Sequence, residues 1–403
     1  MSEAPLSGLT ILDLSRVLSG PYCTMLAADM GARVIKIEHP VRGDDTRAWG
    51  PPFLHGESAY YLSINRNKES VAIDFKTPDG RALLHSLVAK ADVLVENFRP
   101  GTLDPIGLGY AELAKKYPAL IYVSISGFGQ TGPRRDEAGY DAVAQAEGGL
   151  MSVTGDPDGS AVRLGVAIAD IAAGMFAFQG LLLALISRSA GGLGQLVDVS
   201  LLDSVAALLT YQAGRHFATG EVPQRTGNRH STIAPYNTFE TADGVLVLAV
   251  GNDAQWRLLC SALGASELGA DTRYRTNADR VANYETLSAS LSPILKQWKL
   301  DPLVATLRNA GVPCGAVRSV ADALADPQIA ARDMVETLTH PTIGALKVLG
   351  LPTKLSETPG SMRTHPPKLG EHTRRVLGQD LGMDTAEIER LVRLGIVRSA
   401  TDA

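Results

Sequence analysis

Residues 9–38, LTILDLSRVLSGPYCTMLAADMGARVIKIE, are the stretch that decides the expected fold. Residues 9–14 are an apolar run, residues 20–30 have helical character, and residues 33–37 are rich in β-branched side chains. Glu38 closes this last run. A strand, a helix and a strand in this order predict a βαβ unit, in which the two strands lie parallel.

The same alternation continues along the chain. Residues 71–75 predict a strand, residues 79–89 a helix, and residues 92–95 another strand. A helix over residues 110–116 then precedes a strand over residues 120–126. Strands that alternate with helices predict an α/β fold with a parallel sheet covered on both faces, as in a Rossmann-like domain.

The pattern changes after residue 200. Residues 201–216 predict a long helix, and residues 219–231, rich in Gly, Pro, Arg and polar side chains, predict a linker. Residues 236–241 and 245–250 flank an Asp-Gly pair, which predicts a β-hairpin. Further helices are predicted over residues 255–263, 284–298, 303–309 and 385–394.

These patterns divide the chain into four parts. They are a large Rossmann-like domain over residues 1–200, a helix and linker over 201–230, a small α+β domain over 231–330, and a return linker with a C-terminal segment over 331–403. We expect the C-terminal segment to pack on the large domain.

The composition argues against several classes of protein. With 45% apolar and 20% charged residues in 403, it is typical of a soluble globular protein of two or three domains. The net charge of -5 argues against a general nucleic-acid-binding protein. The three cysteines, Cys23, Cys260 and Cys314, form no CxxC pair, so we expect neither a disulfide framework nor a metal site.

The sequence also bears on location. The N-terminal residues lack the basic and apolar segments of a secretory signal, so we expect a cytoplasmic protein. The longest nearly apolar stretch, residues 171–186, contains Gln179 and is shorter than the roughly 20 residues that a membrane span needs. We therefore expect a buried helix there and no membrane partner.

Residues 127–132, GFGQTG, match the GxGxxG pattern of dinucleotide-binding proteins directly after a predicted strand. The match is isolated, because Pro133 and the charged residues 134–136 follow it instead of an apolar helix. We expect these glycines to let a loop approach the active site closely.

Residues 164–175, LGVAIADIAAGM, place one acidic residue, Asp170, among apolar neighbours, and an apolar helical run follows over residues 176–187. One interpretation makes Asp170 the N-cap of that helix. The other makes it a nucleophile that the positive end of the helix holds ionised. An aspartate with an ordinary pKa of roughly 3.9 is anionic at neutral pH and needs no neighbouring base.

These residues belong to a longer pattern, which continues with Arg188, a cluster of glycines over residues 191–194 and the strand-like residues 196–200. Together they resemble the signature of the class III CoA-transferases, the family of formyl-CoA and L-carnitine CoA-transferases. The resemblance covers nearly the whole chain. The matching stretches are residues 12–21, 31–38, 96–101, 139–143, 311–315 and 369–373.

Residues 43–47 with 49–53, and residues 60–63 with 65–68, are most similar to the branch of the family that uses dicarboxylates. That branch includes succinate–hydroxymethylglutarate (glutarate) CoA-transferase and relatives acting on itaconate, malate or mesaconate. The resemblance implies an enzyme that moves CoA from a donor such as succinyl-CoA to a small dicarboxylate. Its substrates are CoA thioesters, and it has no prosthetic group.

The resemblance also implies a covalent mechanism and makes Asp170 the nucleophile. Its carboxylate attacks the thioester of the donor and forms an anhydride, which CoA then converts to an aspartyl-CoA thioester. The acceptor carboxylate reverses these steps. Such chemistry splits one difficult transfer into easier ones.

The family further implies a CoA site at the carboxyl ends of the strands, where open α/β sheets bind ligands. Its residues here are Arg16, Val17, Leu18, His39, Ile73, Lys76, Asn97, Phe98, Arg99 and Tyr140. Lys76 and Arg99 equally fit solvated surface cations. This chain departs from the formyl-CoA members of the family. Where it has Leu18, they have a Gln, and where it has His39 and Pro105, they have arginines that bind CoA. Formate or oxalate is therefore a poor substrate candidate.

A dicarboxylate has a second carboxylate that favours a cationic anchor. The candidates are Arg47, Arg66, Arg163 and Arg229, with Tyr140 as a hydrogen-bond donor. Each arginine equally fits a structural ion pair. For the oxyanions of the reaction, the glycine-rich loops at residues 127–132 or at Gly227 are candidate sources of N–H groups.

Two alternatives stay open. An α-methylacyl-CoA racemase resembles this family in fold, but the racemases have a His before the position of Asp141. This chain has Tyr140 there, whose ordinary pKa of about 10 makes it a poor base at neutral pH. A non-catalytic acyl-CoA-binding protein would not need Asp170.

The resemblance also implies an interlocked homodimer of two ring-shaped chains.

Overall fold

The computed structural model describes residues 3–400. The strands are β1 Thr10–Asp13, β2 Arg33–Glu38, β3 Phe53–Leu54, β4 Glu57–Ser58, β5 Lys68–Ile73, β6 Val93–Glu96, β7 Ile121–Ser126, β8 Leu196–Ser200, β9 Tyr236–Glu240, β10 Val245–Ala249, β11 Cys314–Ala316, β12 Val335–His340, β13 Gly344–Leu349 and β14 Val397–Arg398.

The α-helices alternate with these strands in the first half of the chain. They are α1 Ser19–Asp29, α2 Ala59–Ile64, α3 Pro78–Val88, α4 Tyr110–Lys116, α5 Asp141–Glu147, α6 Ile168–Gly191, α7 Leu201–Leu208, α8 Thr210–Thr219, α9 Asp253–Ala262, α10 Ser266–Ala270, α11 Asn277–Ala282, α12 Tyr284–Leu295, α13 Leu300–Asn309, α14 Val320–Leu324, α15 Pro327–Ala331, α16 Thr373–Leu381 and α17 Thr385–Arg393.

The chain forms two compact units. The first unit contains the residues up to 150, residues 163–211 and the residues from 328 onward. The second contains residues 151–162 and 212–327. The sequence-based division placed these boundaries near residues 200 and 330 and assigned the short segment 151–162 to the large domain.

The first unit is built on a seven-stranded sheet with the order β14-β5-β2-β1-β6-β7-β8. The six long strands are parallel, and β14 pairs antiparallel with β5 at one edge. The expected α/β class with a parallel sheet is confirmed. Between β1 and β6 the chain reverses its direction of travel across the sheet, and such switch points are where open α/β sheets bind ligands.

Alternate residues of each strand enter opposite cores. In β1, Ile11 packs with the apolar side chains of α1 and α6, whereas Leu12 packs with those of α3 and α16. Ile388 of α17 joins the second core. Both faces of the sheet are therefore covered by helices, which explains why its strands have continuous apolar runs.

Two helix predictions differ from the structure. The helix predicted over residues 201–216 is two helices, because Thr210 has a φ of 35° and interrupts it. The apolar helix α6 has 24 residues, so it is long and apolar enough to cross a membrane, and the length argument from residues 171–186 was wrong. Only 39% of its most apolar 18-residue window is buried.

The second unit has a three-stranded antiparallel sheet with the order β11-β10-β9. The predicted Asp-Gly hairpin joins β9 to β10, and Val245 pairs with Glu240. Trp256, Leu287 and Leu303 lie in the core of this unit, on three of its helices.

Candidate active site

Asp170 is the third residue of α6. The N-cap of α6 is Ala167, which makes no side-chain capping bond. The N–H group of Ala169 instead donates to Oδ1 of Asp141 at 2.8 Å. The interpretation of Asp170 as the N-cap is therefore wrong: Asp141 binds a free amide of the first turn, and the carboxylate of Asp170 is left for other chemistry.

Asp170 lies in a cleft of about 350 Å³ at the carboxyl ends of the parallel strands. Segments that follow β1, β6 and β7 line the cleft, together with the residues before α5. Side chains and backbone of Arg16, Val17, Ser19, Asp45, Asn97, Phe98, Arg99, Thr102, Gly127, Glu137 and Tyr140 face it. The cleft therefore lies at the switch point between β1 and β6.

The environment of Asp170 disfavours its charge. Burial, and after it the negative charge of Asp141, raise the pKa of Asp170 to about 7, against a hydrogen bond from Ser19 that lowers it. The expectation of an ordinary pKa was wrong, because it considered the helix end and not the removal of water.

A glycine brings Ser19 close to the helix of the nucleophile. A Cβ atom on Gly174 of α6 would lie 2.6 Å from the carbonyl oxygen of Ser19. Only glycine allows α1 and α6 to approach this closely, since backbone cannot move aside as a flexible side chain does. The contact therefore places Ser19 beside Asp170.

The loop between β1 and α1 is strained and firmly held. Val17 has a φ of 68°, a conformation that costs a β-branched residue roughly 1–3 kcal/mol. The side chain of Asn97 accepts from Arg16 N at 2.8 Å and donates to Arg16 O at 2.7 Å. Val17 N donates to Oδ1 of Asp44 at 3.3 Å, and buried Lys36 pairs with Oδ2 of Asp44 at 2.8 Å. These partners hold the loop in its strained form.

A second cavity of about 300 Å³ adjoins the first. Of the sequence candidates, His39, Ile73 and Lys76 line this cavity alone, and Arg16 and Phe98 line both. The guanidinium of Arg16 lies 5.1 Å from the ring centre of Phe98, so these two side chains form the border. The second cavity contains a further cation that the sequence analysis missed, Arg42, which follows β2 as His39 does.

Two sequence candidates for the CoA site lie at its margin. Leu18 is buried and packs with Met25 and Ile64, and it lines neither cavity. Tyr140 precedes α5, lines the first cavity and is 68% exposed.

Arg47 and Arg66 form buried ion pairs, which is the structural role that the sequence analysis gave as the alternative to substrate binding. Arg47 Nε lies 2.7 Å from Glu38 and its guanidinium 3.7 Å from the ring centre of Tyr61. Arg66 binds Asp29 through two nitrogens, the closest at 2.7 Å. A substrate carboxylate would have to displace these partners.

The other two arginines are more exposed. Arg163 is in the first unit and donates to the carbonyl of Leu164 at 3.2 Å. Arg229 is in the second unit, where it pairs with Glu285 at 3.1 Å. Gly227 N donates to Gly155 O at 3.0 Å, so this amide is already used and is a poor oxyanion donor.

The GFGQTG segment leads into turns and not into a helix, so it is no dinucleotide fingerprint. Gly127 lines the cleft, and a Cβ atom on it would lie 2.6 Å from Cα of Gly139. The close approach of these two backbones positions the segment before Tyr140. The amides of Gly129 and Gln130 donate to Ser126 and Asp198. Within residues 3–400, no cluster of three or more metal-ligating side chains occurs.

The model of CoA-transferase family III matches residues 6–373. The chain is 42% identical over 396 residues to succinyl-CoA:glutarate CoA-transferase of Mus musculus, covering 98% of this chain and 91% of the mouse protein. It is 44% identical over 383 residues to succinate–glutarate CoA-transferase of Agrobacterium fabrum, covering 94% and 96%.

A solved structure has the same fold. A CaiB/BaiF family protein from Brucella suis superposes with a TM-score of 0.85 at 43% sequence identity, covering 94% of this chain and all of the other.

Proposed function

The chain belongs to CoA-transferase family III and is a CoA-transferase, and on that premise we propose that it transfers CoA from succinyl-CoA to a small dicarboxylate. The proposed acceptors are glutarate, hydroxymethylglutarate, itaconate, malate and mesaconate. The names of the relatives support a succinyl-CoA donor and a glutarate acceptor. The observation that carries the proposal is Asp170, a carboxylate that has no cationic partner within residues 3–400 and lies in a cleft lined by Arg16 and Arg99.

In the proposed reaction, the carboxylate of Asp170 attacks the thioester carbonyl of succinyl-CoA. The C–S bond breaks, CoA leaves as a thiolate, and a succinyl–aspartyl anhydride forms. The thiolate then attacks the aspartyl carbonyl, which releases succinate and leaves an aspartyl-CoA thioester. The acceptor carboxylate attacks that thioester, and the thiolate attacks the acceptor carbonyl of the new anhydride, which regenerates Asp170. No net proton is consumed.

The neighbours of Asp170 have distinct parts in this scheme. Ser19 donates to the carboxylate and stabilises its ionised form. Asp141 disfavours that form by its charge and holds the first turn of α6 through Ala169 N. A buried carboxylate that has lost its water is the more reactive nucleophile once ionised.

CoA would extend over both cavities. Its diphosphate suits Arg16 and Arg99 at the first, and its adenosine 3′-phosphate suits Arg42 and Lys76 at the second. No prosthetic group takes part. For the distal carboxylate of the acceptor, Arg163 of the first unit remains a proposed anchor.

We further propose a cytoplasmic, interlocked homodimer that binds neither nucleic acid nor membrane. Support for the dimer comes from exposed apolar side chains of α6 and the loop after it. Leu183, Ile186 and Leu193 are 65%, 67% and 63% exposed. An apolar surface of this kind is typical of protein interfaces.

One experiment tests the donor and acceptor. The protein is incubated with succinyl-CoA and one carboxylate at a time, with oxalate included, and new thioesters are detected by mass. A CoA thioester of glutarate, hydroxymethylglutarate, itaconate, malate or mesaconate supports the proposal. If oxalyl-CoA alone appears, the assignment of these larger dicarboxylates as acceptors is wrong.

A second experiment tests the nucleophile. After incubation with succinyl-CoA, borohydride should reduce an aspartyl thioester to an alcohol at Asp170, and peptide mass analysis locates it. An unmodified Asp170 peptide in an enzyme that loses activity by another route would refute the covalent mechanism. Deuterium incorporation at the α-carbon of a 2-methylacyl-CoA, without acyl transfer, would favour the racemase.

A further inference from the structure

A chain of hydrogen bonds lies directly beneath the cleft. Glu96, the last residue of β6, is buried, and its Oε2 accepts from Phe98 N at 2.8 Å. Its Oε1 accepts a short hydrogen bond from the hydroxyl of Ser124 on β7. Ser124 Oγ in turn accepts from Gln130 Nε2 of the GFGQTG loop at 2.7 Å. One carboxylate thus joins the loops that follow β6 and β7.

The segment that Glu96 holds also reaches the nucleophile. Asn97 clamps the backbone of Arg16 and lies 3.4 Å from Ser19 Oγ, and Ser19 donates to Asp170. Phe98 forms the border of the two cavities. A shift of this segment would therefore disturb the CoA site and the partner of Asp170 together.

The charges around Glu96 oppose its ionisation. Burial is the main cause that raises its pKa to about 7, and Asp104 and Asp198 add to it. The hydrogen bonds from Ser124 and Phe98 N lower it.

Two tyrosines and one arginine are further polar neighbours of Glu96. Tyr122 and Tyr110 adjoin Glu96 at a small cavity, and Arg99 is the cation there. Within residues 3–400, no Lys or Arg forms an ion pair with Glu96. A buried carboxylate with two donors and no cationic partner therefore changes charge state in the neutral pH range.

We propose that Glu96 is a positioning residue, whose ionised carboxylate holds residues 97–99 in the arrangement that binds the diphosphate of acyl-CoA. Both of its oxygens must accept, because they face Phe98 N–H and the Ser124 hydroxyl. A protonated carboxyl donates at one oxygen, so the bond with Ser124 reverses and the Ser124 hydroxyl proton loses its acceptor. The bond from Phe98 N–H is then no longer charge-assisted and is weaker. Protonation would therefore loosen the segment and weaken CoA binding. This inference rests on the proposed CoA site.

The test measures binding and not turnover, so that the nucleophile does not contribute. The protein carries Asp170→Asn, and the probe is dephospho-CoA, which lacks the 3′-phosphate that titrates at roughly pH 6. The Kd is measured by calorimetry from pH 6 to 8.5. We expect about a tenfold weaker Kd at pH 6 than at pH 8, because at pH 6 only about one tenth of a group with this pKa is ionised.

Two variants in the Asp170→Asn background make the test specific. Glu96→Gln should give a Kd that is independent of pH. Ser124→Ala removes a donor to the ionised form, so it should move the midpoint of the pH dependence upward. A residue with only a structural role would not move that midpoint. The melting temperature of each variant checks that it is folded.

The outcomes separate this inference from the proposed function. A flat pH dependence in the Asp170→Asn protein, or an unchanged one after Glu96→Gln, would overturn the role of Glu96 and leave the CoA site standing. An unmoved midpoint in Ser124→Ala would also contradict it. Absence of dephospho-CoA binding at every pH would overturn both proposals.

Discussion

Replacing Asp170 by Asn should abolish transfer and at the same time stabilise the protein, most strongly above pH 7. The environment raises the pKa of Asp170 to about 7. Between about pH 4 and 7 the folded protein therefore binds a proton that the unfolded chain has lost. Stability then falls as the pH rises, by about 1.4 kcal/mol per pH unit, and the loss is complete above pH 7.

The magnitude follows from the difference between the two pKa values. The folded pKa lies about three units above the ordinary one, so the raised pKa costs about 4 kcal/mol of stability at pH 8 and about 1.4 kcal/mol at pH 5. Asparagine is neutral and removes this cost. For a chain of this length, that corresponds to a rise in melting temperature of about 5 °C at pH 8 and about 2 °C at pH 5.

Thermal unfolding of both proteins at pH 5 and pH 8 measures the effect. Asp136→Asn is a control, because the Asp136 side chain is 83% exposed and its replacement should change stability by less than about 0.5 kcal/mol at either pH. A variant no more stable than the wild type at pH 8, or a gain equal at the two pH values, would refute the assignment of a raised pKa to Asp170.

Three further predictions concern the residues around the cleft. Ser19→Ala removes the hydrogen-bond donor to ionised Asp170. The acidic limb of the kcat/KM profile, recorded from pH 5.5 to 9, should therefore move to higher pH by about half a unit or more. An unmoved limb would contradict the role of Ser19. Arg99→Ala should raise the KM for succinyl-CoA about tenfold and leave kcat within a factor of two in steady-state kinetics. The reason is that a contact with a phosphate stabilises the bound substrate and the transition state equally. An unchanged KM would place Arg99 outside the CoA site. Arg66→Met should lower the free energy of unfolding by about 3–5 kcal/mol, because it leaves Asp29 without its ion-pair partner in the interior. The KM for the acceptor should not change in the folded protein. A raised acceptor KM would instead assign Arg66 to substrate binding.

Much of the fold was predictable because its signals are local. The apolar runs of β1 and β2, with α1 between them, follow from neighbouring residues alone. The positions after strand ends were predictable for the same reason, because parallel strands present their carboxyl ends at one edge. Thus Arg16 and Asn97 were expected near one site, the family resemblance added Asp170, and the three residues line one cleft.

The division of roles among charged residues was not predictable from the sequence. The partner of Arg66 is Asp29, 37 positions away, and Arg33 pairs with Asp380, 347 positions away. Nothing in the local pattern separates such arginines from those that bind a substrate. Contacts between distant segments decide it, because an ion pair needs two side chains within about 4 Å, and only the fold brings them there.

The sequence by itself determined the parallel sheet, its strand-end loops and the one acidic residue at the start of the long apolar helix. The tertiary structure decided the charge state of that residue and of Glu96. Both carboxylates have raised pKa values because water is excluded around them and acidic neighbours from other segments approach. Solvent exclusion is a property of the packed molecule, so no reading of the neighbouring residues could supply it.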